Sequence, residues 1–288
     1  MDTTELLKRV RRIEIKTRGL SQQIFAGEYH SAFKGKGMAF SEVREYQYGD
    51  DIRSIDWNVT ARFNHPYVKV YEEERELNVM LLIDVSGSRN FASTEKLKKN
   101  LITELAAVLS FSAISNNDKI GAILFSDRIE KFIPSKKGRQ HTLRIIRELI
   151  NFQPTSNGTN IGLSLEYLIN VIKKRSTVFL ISDFLDEKYE DALKISNRKH
   201  DMIALRIFDP RETSLPDVGM IPMKDAETGN LVWVDSANRR VREKYNQYWH
   251  EQSRITHDLF DKHGIDYADI STAEDYVKPL MLLFKKRA

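Results

Sequence analysis

The chain contains no cysteine. That excludes disulfides, thiolate nucleophiles and zinc–thiolate sites, and makes a reducing compartment the natural setting. Long hydrophobic runs are missing as well. The most apolar stretches, VMLLI and PLMLLF, fall far short of the ~20 residues that span a bilayer. The first residues, MDTTELLKRVRRIEIKTRGL, carry charges throughout and lack the apolar centre of a signal peptide. A cytoplasmic location is therefore expected, with no direct membrane insertion. Neither sign of charge dominates: 45 basic and 41 acidic residues are interspersed and leave a net charge of +4. Without a basic face, no nucleic-acid partner is implied.

Several catalytic signatures are absent too. No GxxxxGK[ST] occurs, so the chain is not itself a P-loop ATPase, and GKG at 35–37 lacks the GxGxxG pattern. The seven His residues are scattered, with no HExxH, and no serine sits in a GxSxG elbow. PSKKGR reads as a solvated turn. An Asp84-centred phosphotransferase would want a second carboxylate two residues on, where Ser86 stands.

What is there reads as an alternation of strands and helices. The 41% hydrophobic content supports a sizeable core, and 288 residues suggest about two domains. Residues 3–16 have helical spacing in Leu6, Val10 and Ile13. Residues 19–66 mix glycines, aromatics and charges, and read as loops, short strands and one polar network. YVKVY alternates as a half-buried strand, and 77–84 is nearly all apolar, as in a central parallel strand. TEKLKKNLITELAAVLSFSAI puts Leu97, Leu101, Leu105 and Val108 on one helical face, with Ser93 or Thr94 as cap. KIGAILFS, an edge strand EKFIPS, helices HTLRIIRELI and IGLSLEYLINVIKK, and strands STVFLISD and MIALRIF follow. A hairpin at about 217–236, a long polar helix at 238–262, a strand IDYADI and a last helix complete the chain. The expected fold is α/β, a doubly wound, mostly parallel sheet of Rossmann-type topology. Residues 1–75 are expected to form an N-terminal helix and signature segment packed on a main domain, 76–288.

In such sheets ligands gather outside the carboxyl ends of the strands. Asp84, Ser86 and Ser88 follow the first central strand, Thr159 sits in the turn PTSNGTNIG, and Asp183 ends FLISD. Carboxylates and hydroxyls on one edge suit a hard divalent cation, magnesium or manganese rather than zinc. The same DVSGS ahead of a helix also suits a plain N-terminal cap.

These segments resemble the metal-ion-dependent adhesion site (MIDAS) of von Willebrand factor type A domains. The resemblance implies a von Willebrand factor A-like fold. It also implies that Asp84, Ser86, Ser88, Thr159 and Asp183 are the five motif positions, and that the ion leaves one coordination position for an acidic residue of a partner protein. Arg89 stands where relatives often place Met, and its guanidinium would be able to fold over the site in place of the ion.

A second stretch, FSEVREYQYGDDIRSIDWNVTAR at 40–62, resembles the signature of the bacterial domain-of-unknown-function family fifty-eight. Arg44, Tyr46, Gly49, Asp50, Arg53, Asp56, Trp57 and Arg62 match its recurrent positions. So many Arg, Asp and Tyr side chains in a short span suggest a partly buried, charge-assisted network. Gly49 would allow a turn, Arg53 and Asp56 would pair with each other or with Arg62 and Asp50, and Trp57 would anchor the segment against the sheet. The network reads as a structural staple or, alternatively, as a docking surface or catalytic acid pair.

The expected function is a metal-ion-dependent protein-interaction module rather than an enzyme. The family resemblance implies a partner class: members are commonly encoded beside MoxR-type AAA+ ATPases and are thought to act as their adaptors in assembly or chaperone-like work. Membrane-anchored von Willebrand A proteins of the aerotolerance type are further candidates. Two alternatives stand beside it. One is a divalent-metal-dependent hydrolase, of phosphatase or nuclease type, using Asp84 and Asp183; the other is a metal-free scaffold.

Overall fold

The computed structural model describes residues 39–63, 65–72, 76–87, 98–224 and 231–287. The expected helix at 3–16, Leu97, the caps Ser93 and Thr94, and the motif residues Ser88 and Arg89 lie outside the described residues.

The chain divides into two compact units, 34–76 and a larger one containing 77–288. In the smaller unit, β1 (Ala39–Glu45) pairs antiparallel with β2 (Tyr67–Glu72). Between them lie a 3-10 turn, Ile52–Ser54, and a short helix α1, Trp57–Phe63. Asp51 caps the turn by accepting from the Arg53 amide at 2.9 Å. Asp56 caps α1 through the amides of Asn58 and Val59. Polar side chains that can bond nearby amides open helices in this way. Short strands and loops are what composition predicts here, and β1 and β2 are such strands.

The larger unit is built on one six-stranded sheet. Its strands are β3 (Asn78–Asp84), β4 (Lys119–Phe125), β5 (Ile129–Lys136), β6 (Thr177–Ser182), β7 (Asp201–Phe208) and β10 (Asp266–Ser271), in the order β10-β7-β6-β3-β4-β5. All neighbours are parallel except β4 and β5. The antiparallel β5 lies at an edge and carries Pro134, which can give no ladder donor there. The doubly wound, mostly parallel α/β fold expected from the sequence is what the chain forms.

Successive side chains of β3 serve opposite faces. Val79, Leu81 and Ile83 join a core with α2 (Lys98–Ser115), α3 (Arg139–Asn151) and α8 (Val277–Arg287). Met80 and Leu82 join a second core with α4 (Ile161–Val171), α5 (Glu190–Lys199) and α7 (Arg239–His263). Burial on both faces is why these strands are continuous apolar runs rather than alternating ones. Helix α2 is buried almost all round, from Lys98 through Leu105 and Val108 to Ala113.

Backbones approach closely at Gly121 of β4. A Cβ there would meet Met80 Sδ at 2.7 Å and the Ile133 carbonyl oxygen at 2.8 Å. The two remaining strands, β8 (Met220–Lys224) and β9 (Leu231–Asp235), form the expected hairpin. Met220, Pro222, Leu231 and Trp233 share one face of it, and Trp233 is 64% exposed. A four-residue helix, α6 (Pro210–Thr213), follows β7. Among the described residues, no helix is long and apolar enough to cross a membrane.

Candidate strand-end acidic site

Strands β3 and β6 lie side by side and parallel, so their carboxyl ends meet. Asp84 is the last residue of β3 and is 3% exposed. Its Oδ1 accepts from the Ser86 amide at 2.9 Å and its Oδ2 from the Ser182 hydroxyl at 2.7 Å. Burial, and then the like charge of Asp183, push its carboxyl up to about 6 despite the hydrogen bonds from Ser86 and Ser182 that favour the anion. Asp183 follows directly on Ser182, whose hydroxyl reaches Asp84, so both carboxylates belong to this strand edge.

The turn after β6 is held by the same serine. The Ser182 hydroxyl accepts from the Phe184 amide at 3.1 Å. Phe184 takes a φ of 59°, a left-handed backbone that a bulky side chain rarely adopts. Its ring is fixed edge-on to Phe260 at 5.0 Å. Packing on α7 thus holds a strained backbone at the strand end, a feature concentrated at functional sites.

The loop carrying Thr159 is tied to the same edge from two sides. The Gly87 amide donates to the Asn157 carbonyl at 2.9 Å, and the Asn160 amide to the Ser126 carbonyl at 2.9 Å. Beyond β4, Glu130 accepts from the hydroxyls of Ser126 and Thr155, both at 2.8 Å. Asp127 accepts from the Ser156 hydroxyl at 2.8 Å. Asn160 then caps α4 by accepting from the Leu163 amide. Thr159 is half-buried within a loop anchored on both β3 and β4.

One participant was invisible in the sequence pattern. Lys98, the first residue of α2, is 1% exposed. Its Nζ lies 2.6 Å from Glu212 Oε2 and 3.4 Å from Asp183 Oδ2. Burial opposes the ammonium, but Asp183 and Glu212 together raise it above its ordinary range. Burial also pushes the Glu212 carboxyl up, against the pull of Lys98. Glu212 is fixed in turn by a reciprocal cap with Asp209, whose carboxylate accepts from the Arg211 amide and the Thr272 hydroxyl. Ends of β3, β6, β7 and β10 are thereby linked. Glu212 and Asp209 had a readable signal, the helix start D-P-x-E in FDPRET. Lys98 had none, because a lysine in a run of lysines reads as a solvated face.

Chemically, the strand ends offer hard oxygens in the carboxylates of Asp84 and Asp183 and the hydroxyl of Ser86, with Thr159 on the adjoining loop. A buried carboxylate whose pKa is raised by a second one is an environment that a cation relieves. These residue types fit magnesium or manganese. Among the described residues, no group of three His, Cys, Asp or Glu is arranged to hold a metal, so hydroxyls and water would have to complete any coordination.

The 40–62 residues form a smaller network than their composition suggests. Arg44 forks onto Asp50, with contacts of 2.8 and 2.7 Å, and Asp50 also accepts from the Gln47 amide. These bonds hold the Asp50 carboxyl below its usual range. Gly49, at a φ of 106°, makes the turn between them possible. The Tyr46 amide reaches the Pro66 carbonyl at 2.8 Å. Asp56 faces Lys69 at 3.4 Å. Three expectations fail here. Among the described residues Arg53 and Arg62 form no ion pair; Asp50 is held by Arg44 from the strand before it, and Asp56 by Lys69 of β2. Trp57, at the start of α1, is 68% exposed, so its ring stands in solvent instead of being buried as an anchor.

A three-layered α/β domain with an acidic, lysine-braced edge is the class of protein that this fold and site define. Sequence comparison places it further. Residues 42–255 match the family described as protein of unknown function DUF58, and the chain belongs to that family. The uncharacterized protein Mb1516 of Mycobacterium bovis is 29% identical over 232 residues, covering 80% of this chain and 73% of that one. Among solved structures, BatB from Bacteroides thetaiotaomicron aligns with a TM-score of 0.48 at 15% identity, covering 73% of this chain and 98% of that one. The VWA domain of SpRpn10 aligns with a TM-score of 0.39 at 9% identity, covering 74% and 95%.

Proposed function

We propose that the chain is a protein-interaction module that holds a divalent cation, magnesium or manganese, at the carboxyl end of its sheet. We propose further that its partner is a MoxR-type AAA+ ATPase. The observation that carries this reading is the pair Asp84 and Asp183. They close neighbouring parallel strands: Asp84 ends β3, is buried, and accepts from the hydroxyl of Ser182, the residue before Asp183, at 2.7 Å. Ser86 and Thr159 would add hydroxyl oxygens, with Ser88 as the fifth position implied by the motif. The ion's remaining coordination position would take an acidic side chain of the partner.

The partner class rests on the family resemblance, in which such chains are encoded beside MoxR-type ATPases and are thought to serve as their adaptors. Membrane-anchored von Willebrand A proteins of the aerotolerance type are the second candidates. The reading assigns no catalytic residue, and a cytoplasmic setting accords with it.

The test is affinity capture from cell lysate by wild type and Asp84→Ala, each in magnesium and in EDTA. An AAA+ ATPase retained only by wild type in magnesium is the expected result. Equal retention in all four samples would remove the cation from partner recognition. A phosphatase and nuclease screen with magnesium or manganese runs in parallel. Turnover that Asp84→Ala abolishes would replace the module reading with a hydrolase.

A further inference from the structure

We propose that Lys98 is a tethered internal cation that shares Asp183 with the divalent ion, bridging to it when the ion is absent and withdrawing onto Glu212 when the ion is bound. This rests on the metal reading above and concerns how that site is governed.

The geometry is asymmetric. The contact of Lys98 with Glu212 is short, at 2.6 Å, whereas that with Asp183 is long, at 3.4 Å. Glu212 cannot follow the ammonium, because its carboxylate also accepts from the Asp209 amide at 3.1 Å and thereby closes the cap of α6. Lys98 is therefore anchored on one side and loosely engaged on the other, and the loose side is a proposed ion ligand. Lysine is suited to such sharing. Its ammonium is a compact point charge on a flexible stem, free of the planar fork that would lock an arginine onto one carboxylate.

The surroundings explain why a cation is kept there. A charged group so fully buried survives only with opposite charges in contact, and the described partners of Lys98 are the two carboxylates. Asp183 in turn acts on Asp84. Without Lys98, three carboxylates would crowd one dry edge whenever the ion left. With it, the metal-free edge keeps a positive charge and the strand ends hold their positions. The corollary is weaker ion binding, because the incoming dication must displace the ammonium from Asp183 and then sit near it.

Manganese titration calorimetry on the full chain tests this, with wild type, Lys98→Gln, Glu212→Gln and Asp84→Ala. Removing the ammonium should tighten Mn²⁺ binding by on the order of tenfold or more. Glu212→Gln should weaken it, because the lysine then has only Asp183 as a counter-charge. Structural damage alone would move both variants the same way. The manganese-induced rise in melting temperature provides a second readout in which Lys98→Gln should exceed wild type.

Equal affinity in wild type and Lys98→Gln, with none in Asp84→Ala, would overturn the role of Lys98 and leave the metal reading standing. Binding by neither would overturn the metal reading and this inference with it. Binding by Lys98→Gln alone would overturn the proposed sharing, because the natural chain would then hold no ion for the lysine to yield to. Should Lys98→Gln fail to fold, the direction of the change in Glu212→Gln decides: tighter or unchanged binding refutes the proposal.

Discussion

His200 closes α5 with both ring nitrogens buried and, among the described residues, without a hydrogen-bond partner. It is 0% exposed. Burial first, and then the charges of Lys199 and Arg175, lower its pKa from 6.5 to about 4. The folded state thus holds the imidazole neutral where the unfolded chain would protonate it. Between these two values the unfolded state binds more protons, so stability falls as pH drops through 6.5, and the loss levels off below 4. With those two values the loss is about 2 kcal/mol at pH 5 and about 3 kcal/mol at full depth. Urea unfolding of wild type and His200→Leu at pH 7.5, 6 and 5 measures it. The stability of wild type relative to the variant should fall by about 2 kcal/mol between pH 7.5 and pH 5. The variant is needed because Asp84 pulls the other way: its raised value makes ionisation costly as pH rises through 6, and acid restores that stability. Parallel pH profiles for the two proteins would show that water or a side chain reaches the ring, and the reasoning would be wrong.

Other outcomes follow from the same physics. Asp84→Asn, in EDTA at pH 7, should stabilise the fold by on the order of 2 kcal/mol, because the carboxylate is ionised against burial and Asp183; a fall in urea midpoint would contradict this. Gly121→Ala should lower stability by about 1–3 kcal/mol, since its Cβ has no space between Met80 and the Ile133 carbonyl, and a denaturation curve superimposable on wild type would refute it. Trp233→Ser, on the exposed hairpin face, should leave the unfolding free energy within about 0.5 kcal/mol of wild type, whereas a large loss would mean that the ring is packed.

Periodicity alone was enough for the architecture. Runs such as VMLLI and VFLIS must be buried on both faces, and their alternation with amphipathic helices leaves a parallel sheet as the economical solution. That logic also carried Asp84 and Asp183 to one edge, since parallel neighbours bring their carboxyl ends together. Asp56 and Lys69 were harder, because where β2 lies relative to the start of α1 decides which cation meets that aspartate. Only the tertiary structure could put Trp57 in solvent, give Asp50 to Arg44 and turn Lys69 toward Asp56. It alone brought Lys98 to Asp183, across 85 residues of chain, and Glu212 to Lys98 from yet another helix. Local pattern encodes which face of an element is apolar, whereas ion pairing depends on where separate elements come to rest, and no spacing along the chain records that distance.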